Sequence, residues 1–296
     1  MKRVLITGAG SYIGTSFEAY AGEHYPDDFS IETIDMIDGT WREKDFSKYD
    51  IVFHVAGIAH ADVGRVDEAT KKKYYEVNTT LAIETAKKAK SEGVGQFVFM
   101  SSSIIYGDSA PYGKKKVITR DTKPHPSNFY GDSKWRADKG VRALVADGFL
   151  VTVLRPPMIY GKGSKGNYPT LAKLAKKLPI FPDVKNERSM LYIENLCEFL
   201  CQVMIRGEGG VYWPQNAEYS CTSEMVKMIS EASGHKIKVS RIWNWTVGLA
   251  RLIPGKPRRL ADKAFGNLVY DKGMSEYGFR YQRVGIRKSI KRTEGR

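Results

Sequence analysis

The chain of 296 residues is 42% hydrophobic and 27% charged, an ordinary globular composition with room for one large core or a domain and a smaller companion. No run approaches the ~18 apolar residues of a membrane-spanning helix, and Met1–Thr7 becomes strand-like too soon to read as a signal peptide. Lysine and arginine number 47 against 33 acidic residues, a net charge of +14, which attracts nucleic acid, acidic lipid or phosphorylated small molecules without choosing among them.

In chain order, Arg3–Thr7 is the first expected strand, with a helix after Gly14. Ile31–Ile34, Ile51–Val55 and Gln96–Met100 are the next three strands. Between the last two, Thr80–Glu92 is expected to be helical, with Leu81, Ile83, Ala86 and Ala89 on one period. Leu150–Leu154 is a further strand. Strands alternating with helices predict an α/β chain with a parallel sheet covered on both faces. From about Gly161 the character changes: a Gly/Lys/Ser loop at Gly161–Asn167, a helix at Thr170–Lys177, a proline-punctuated stretch to Asp183, and helices at Glu194–Met204 and Thr222–Ala232. The expected division is 1–160 for dinucleotide binding and 161–296 for a smaller lobe, some of whose elements return to the main sheet. Ile242–Ile253 is aromatic and apolar, with Lys256, Arg258 and Arg259 following. It reads first as a core helix of that lobe; the alternative is an interfacial helix over 242–259 that touches a membrane. Cys197, Cys201 and Cys221 fit no zinc spacing and read as reduced thiols of a cytoplasmic protein. His54, His60 and His125 suggest no metal site.

Thr7-Gly8-Ala9-Gly10-Ser11-Tyr12-Ile13-Gly14 lies between the first strand and first helix, where a dinucleotide pyrophosphate binds. Small residues let the backbone approach phosphates, and the helix N-terminus supplies N–H donors and a positive dipole end. Asp35 ends the second strand, where an acid bonds ribose hydroxyls and repels a 2′-phosphate, so NAD is expected over NADP. Asp38 competes for that role, and either can be a turn residue.

Tyr130-Gly131-Asp132-Ser133-Lys134 puts a phenol and an ammonium four apart on one helical face. A free phenol, with a pKa of ~10, is a poor base at neutral pH. A nearby ammonium and an oxidised nicotinamide both favour the phenolate. The pair lies one strand beyond Ser101-Ser102-Ser103 and downstream of the glycine loop.

With these pieces in place the sequence resembles the extended short-chain dehydrogenase/reductases, specifically the NAD-dependent epimerase/dehydratase family, over roughly residues 3–200. The matching residues fall in family order: Thr7-Gly8 to Gly14, Asp35, Asp45-Phe46, His54-Val55-Ala56-Gly57, Asn78, Ser102 to Tyr106-Gly107, Tyr130 to Lys134, Leu154-Arg155-Pro156, and Arg188-Ser189 to Asn195. Ser11 departs from the family's more usual glycine, yet is small enough to keep the backbone close. The resemblance implies a Rossmann-type doubly wound sheet with a smaller C-terminal substrate-binding lobe. It implies Tyr130 as acid/base, Lys134 lowering its pKa and holding the nicotinamide ribose, and Ser102 bonding the reacting oxygen. Gly8, Ser11, Tyr12, Ile13 and Gly14 would hold the pyrophosphate, and Asp45 and Phe46 would line the adenine. Val55, Ala56 and Gly57 would run beneath the cofactor. Asn78 is either a cofactor-site residue or a helix start with no such contact. Arg188 would meet the diphosphate of a nucleotide sugar, and Asn167 matches a substrate-loop asparagine. Homodimers are implied by analogy alone.

The resemblance also sorts the reactions. Family dehydratases carry an Asp-Glu pair immediately after the catalytic Ser/Thr, and the related decarboxylases a Glu; here Ser103 and Ile104 stand there, and neither can do that work. A 4-epimerase needs nothing more than Ser102, Tyr130 and Lys134, so a UDP-glucose 4-epimerase-like activity on a UDP-linked sugar is expected. The alternatives are a sugar-nucleotide 4-reductase, or an epimerase of lipid-linked sugars. A non-catalytic RNA-binding role is set aside by the intact Ser102/Tyr130/Lys134 set.

Overall fold

A computed structural model describes residues 1–59 and 66–295; His60 lies outside them. The strands are β1 (Lys2–Thr7), β2 (Phe29–Ile34), β3 (Ile51–His54), β4 (Gln96–Met100), β5 (Val117–Ile118), β6 (Leu150–Leu154), β7 (Met158–Tyr160), β8 (Ile180–Pro182), β9 (Met190–Tyr192), β10 (Gly210–Tyr212), β11 (Lys238–Ser240) and β12 (Val269–Tyr270). Six of them make one sheet in the order β2-β1-β3-β4-β6-β10, parallel throughout. The central strands are buried on both faces, which is why β3 and β4 are continuous apolar runs rather than alternating ones.

The period of two shows instead in where those apolar residues go. Val4, Ile6, Phe53 and Val98 enter one core cluster, whereas their neighbours Leu5, Val52, Phe97 and Phe99 enter another on the opposite face. Two cores separated by one sheet are the doubly wound arrangement expected. The helices α1 (Tyr12–His24) and, far along the chain, α6 (Ile193–Arg206) pack together over the first face. The second face is covered by α3 (Leu81–Ser91) and α4 (Phe129–Arg142); α2 (Glu68–Tyr75) packs on α4 and runs into α3 through a π-helical turn at Glu76–Thr80. β10 and α6 therefore belong to the main sheet although they follow Gly161.

The remaining elements are three two-stranded ribbons, β11–β8, β12–β5 and β7–β9, and the helices α5 (Asn167–Lys177), α7 (Thr222–Ala232), α8 (Asn244–Leu252), α9 (Lys256–Phe265) and α10 (Ile286–Glu294). α5 starts at Asn167, earlier than expected. The reading of Ile242–Ile253 as a core helix is corrected: on α8 only Val247 is buried, and the helix lays its apolar side outward. All three cysteines are free and buried. Among the described residues no helix is long and apolar enough to cross a membrane.

Candidate active site

The ends of β1, β2 and β3 meet where the glycine loop turns into α1. Gly8 and Ala9 both donate their N–H to the Ile34 carbonyl at the end of β2, at 2.9 and 3.2 Å. Val55 and Ala56 donate to the Thr7 carbonyl at 3.1 and 2.9 Å. Gly8 has φ +113, and a Cβ there would sit 2.8 Å from Ala56 N, so only glycine fits. Gly10 has φ +68, with no atom within 4 Å of where its Cβ would point, leaving the loop open to a phosphate. Ser11 does more than stay small: its hydroxyl caps α1 by accepting the Gly14 N–H at 3.3 Å. Tyr12 and Ile13 are half-buried in the first helical turn. The buried Tyr12 hydroxyl lies against Gly161 and has no hydrogen-bond partner within the described residues.

Asp35 follows β2 and is exposed, with one carboxylate oxygen accepting from Ile37 N at 2.9 Å. Asp38 accepts from the N–H and hydroxyl of Thr40, a closed turn of its own. Asp45 is likewise turned onto Ser47. Phe46 has its ring fully buried in the second core with Trp41 and Val52, and its N–H is taken by Glu92.

Asn78 sits in the π turn and is almost fully buried. Its oxygen accepts from Ile58 N at 2.8 Å, and its amide donates to Ile58 O at 3.0 Å and to the Ser133 hydroxyl at 3.1 Å. With both ends of the amide engaged, Asn78 pins the strand-end loop Gly57–Ile58 to α4. It ties loop to helix instead of standing as a bare helix start. π-helical turns recur at functional sites for such re-aiming of side chains.

α4 begins at a cap in which the Asn128 side chain accepts from Gly131 N at 2.9 Å. A Cβ on Gly131 would lie 2.9 Å from the Ile104 carbonyl. Gly131 thus lets the first turn of α4 close onto the segment after β4, where Ser102 caps the short turn Ser103–Tyr106 by accepting from Ile104 N. The result sets Ser102 beside Tyr130, close enough to favour its phenolate. Burial pushes the Tyr130 phenol up to about 12, the neighbouring Tyr74 adds to this, and only Ser102 works the other way. Lys134, one turn on, is buried beneath Gly57 and donates to the Met100 carbonyl at 3.0 Å. Burial lowers it to about 8. Desolvation is the largest influence on both groups. His54, under the same loop, pairs with the Thr7 hydroxyl at 2.7 Å, and burial depresses it to about 3, keeping it neutral.

Behind Ser102 lies a network that sequence reasoning missed. Fully buried Asp138 of α4 receives Arg155 at 2.9 Å on both oxygens, Arg142 at 2.8 Å and the Ser101 hydroxyl at 2.9 Å. Arg155 also donates to the Tyr106 hydroxyl at 2.8 Å, as does the Trp213 ring N–H. The network ties the ends of β4 and β6 to α4, so the segment after β4 that carries Ser102 and the helix that carries Tyr130 share one support. The only hint in the sequence was Arg155 beside Pro156.

Arg188 and Asn167 are not brought to Tyr130 by any contact among the described residues. The half-buried Arg188 donates to the Lys263 and Gly266 carbonyls, at 2.8 and 3.3 Å, capping the C-terminal end of α9; burial lowers its pKa. Asn167 is exposed on the first turn of α5.

A family model described as the NAD dependent epimerase/dehydratase family matches residues 4–212. The chain belongs to that family. It is 28% identical over 290 residues to a UDP-glucose 4-epimerase of Vibrio cholerae, covering 91% of this chain and 87% of that protein. It is 27% identical to the N-acetyl-α-D-glucosaminyl-diphospho-ditrans,octacis-undecaprenol 4-epimerase of Escherichia coli O157:H7, covering 67% of this chain and 61% of that one. Among solved structures, a UDP-glucuronic acid 4-epimerase from Bacillus cereus in complex with NAD superposes with a TM-score of 0.72 at 16% identity, covering 99% and 95% of the two chains. Sugar-nucleotide dehydratases and reductases are also similar to this chain. It is thus an enzyme of a NAD-dependent family, and its own geometry fits the cofactor: the open loop at Gly10, the capped N-terminus of α1 and the exposed carboxylate of Asp35 suit pyrophosphate and ribose.

Proposed function

We propose that this enzyme is a nucleotide-sugar 4-epimerase whose sugar passes through a 4-keto form. The observation that carries the reading is that α4 sets Tyr130 beside Ser102 with buried Lys134 one turn on, and that the positions after Ser102 are Ser103 and Ile104, which cannot ionise to serve as the further acid and base that elimination requires. NAD supplies reversible acceptance of the sugar's C4 hydride. Tyr130 takes the C4 hydroxyl proton as the keto form arises and returns it afterwards. Ser102 holds the same oxygen and favours the charged phenolate. Lys134, anchored to Met100 O beneath Gly57, supplies buried positive charge beside the nicotinamide ribose. The loop from Gly8 to Gly14 and Asp35 hold the dinucleotide, and Arg188 and Asn167 are assigned to the sugar's diphosphate by the family resemblance.

A second reading, the same epimerisation on a lipid-diphosphate sugar, is supported by the similarity to the Escherichia coli O157:H7 enzyme. Incubation with UDP-glucose, UDP-N-acetylglucosamine, their C4 epimers and a polyprenyl-diphosphate N-acetylglucosamine tests both. Interconversion at C4 without net NADH is expected, and the substrate turned over chooses between the two. Release of water, or a stoichiometric need for reduced cofactor, would overturn epimerisation.

A further inference from the structure

We propose that the helical hairpin α8–α9 docks the protein on an anionic membrane surface, peripherally and independently of which sugar it turns over. Trp245, Leu249 and Leu252 stand four and three apart, one stripe along α8, and are 60%, 50% and 79% exposed. Ile242, Ile253 and Leu260 extend the stripe across the hairpin and are all exposed, and Trp243 stacks beside Trp245 with ring centroids 6.5 Å apart. A contiguous apolar surface of this kind marks an interaction site rather than ordinary scatter.

The inner side of the hairpin is already committed. Val247 is buried, Arg251 pairs with Asp262 at 3.2 Å and lies over the Tyr112 ring, and Asp262 accepts the Tyr112 N–H. The outer side is therefore what a partner meets. Charge identifies that partner. Residues 241–263 carry six basic side chains and one acid, and that acid is occupied by Arg251 and, at 4.0 Å, Arg258. Arg241, Arg258 and Arg259 are exposed around the apolar stripe. Aromatic and aliphatic side chains ringed by arginine suit an interface of acyl chains below and anionic headgroups above. A second copy of the chain is disfavoured, since a two-fold contact would set like charges face to face. The hairpin also ends on the carbonyls that hold Arg188, so a docked hairpin brings that end of the enzyme to the bilayer.

Flotation of the full chain with vesicles of phosphatidylcholine, with and without phosphatidylglycerol, tests the proposal without reference to catalysis. Wild-type protein is expected to float only with the anionic vesicles, with a blue shift of tryptophan emission. Trp245→Glu and Leu252→Glu, both on the exposed face, should lower the bound fraction about tenfold or more while turnover of a soluble substrate is unchanged. No flotation and no blue shift for the wild type would overturn it. So would flotation unaffected by both substitutions, or a dimer in size-exclusion chromatography that Trp245→Glu dissolves without any vesicle binding.

Discussion

At the scale of single residues, the site is a pair of groups that burial alone would leave idle. Tyr130 is held up near 12 and Lys134 down near 8, so the phenol keeps its proton at neutral pH unless positive charge is added beside it, which an oxidised nicotinamide provides. Tyr130→Phe removes the proton carrier and leaves the ring's packing against Tyr74. Turnover should fall by about 10²–10⁴, with NAD binding, read by calorimetry, unchanged. A variant within threefold of wild type would remove Tyr130 from the chemistry. His54 makes a separate prediction. Its ordinary pKa is ~6.5 and the fold holds it at about 3, so the unfolded chain takes up the proton first as pH falls. The stability this neutral histidine contributes is complete above pH ~6.5 and is lost progressively towards pH 3, amounting to about 2 kcal/mol by pH 5. Urea denaturation of wild type and His54→Gln at pH 7 and pH 5 reads this as a difference in slope; equal pH dependence in the two would show that His54 titrates normally.

At the scale of elements, α4 and the strand ends beside it act as one piece because Asp138 joins them. Asp138→Ala strands Arg155 as a buried charge, and breaking such a pair costs about 3–5 kcal/mol. Equilibrium urea unfolding measures it. A loss below ~1 kcal/mol would mean that water or a shifted side chain satisfies Arg155, and that Ser102 and Tyr130 are aligned by something else. This is also where the sequence stops being legible. The positions of the glycine loop, Asp35, Tyr130 and Lys134 are readable because each is set by neighbours within a few residues: a strand, a turn, one helical face. Asn78, Arg155 and Arg188 find their partners 55, 17 and 75 residues away, at Ser133, Asp138 and Lys263, and nothing local in the chain announces those meetings. The same holds for the small elements. β5 and β12 are two residues each, too short to show a period, and β10 begins on Gly210, which reads as a break. The α8 error has a different cause. Apolar spacing predicts a helix with one greasy face correctly, but says nothing about whether that face turns inward.

At the scale of the whole molecule, the boundary at residue 160 cuts through a core instead of between two. The cluster on the first face of the sheet holds Val4, Phe17 and Ala21 together with Leu196, Phe199, Leu200 and Met225, all essentially buried. α1 packs on α6, and β6 is hydrogen-bonded to β10. Tyr20 and Tyr25 of the early chain both donate to Glu198, which also receives Arg283 at 2.8 Å from near the far end. A fragment of residues 1–160 would therefore open the apolar face of α1 and the outer edge of β6 to water at once, with no substitute for either. We expect this fragment to lack a cooperative thermal transition, and the full chain to melt in one step. A separate, reversible melt of the 1–160 fragment, with NAD raising its midpoint, would show instead that the dinucleotide-binding half folds by itself and that the later elements are a detachable cover.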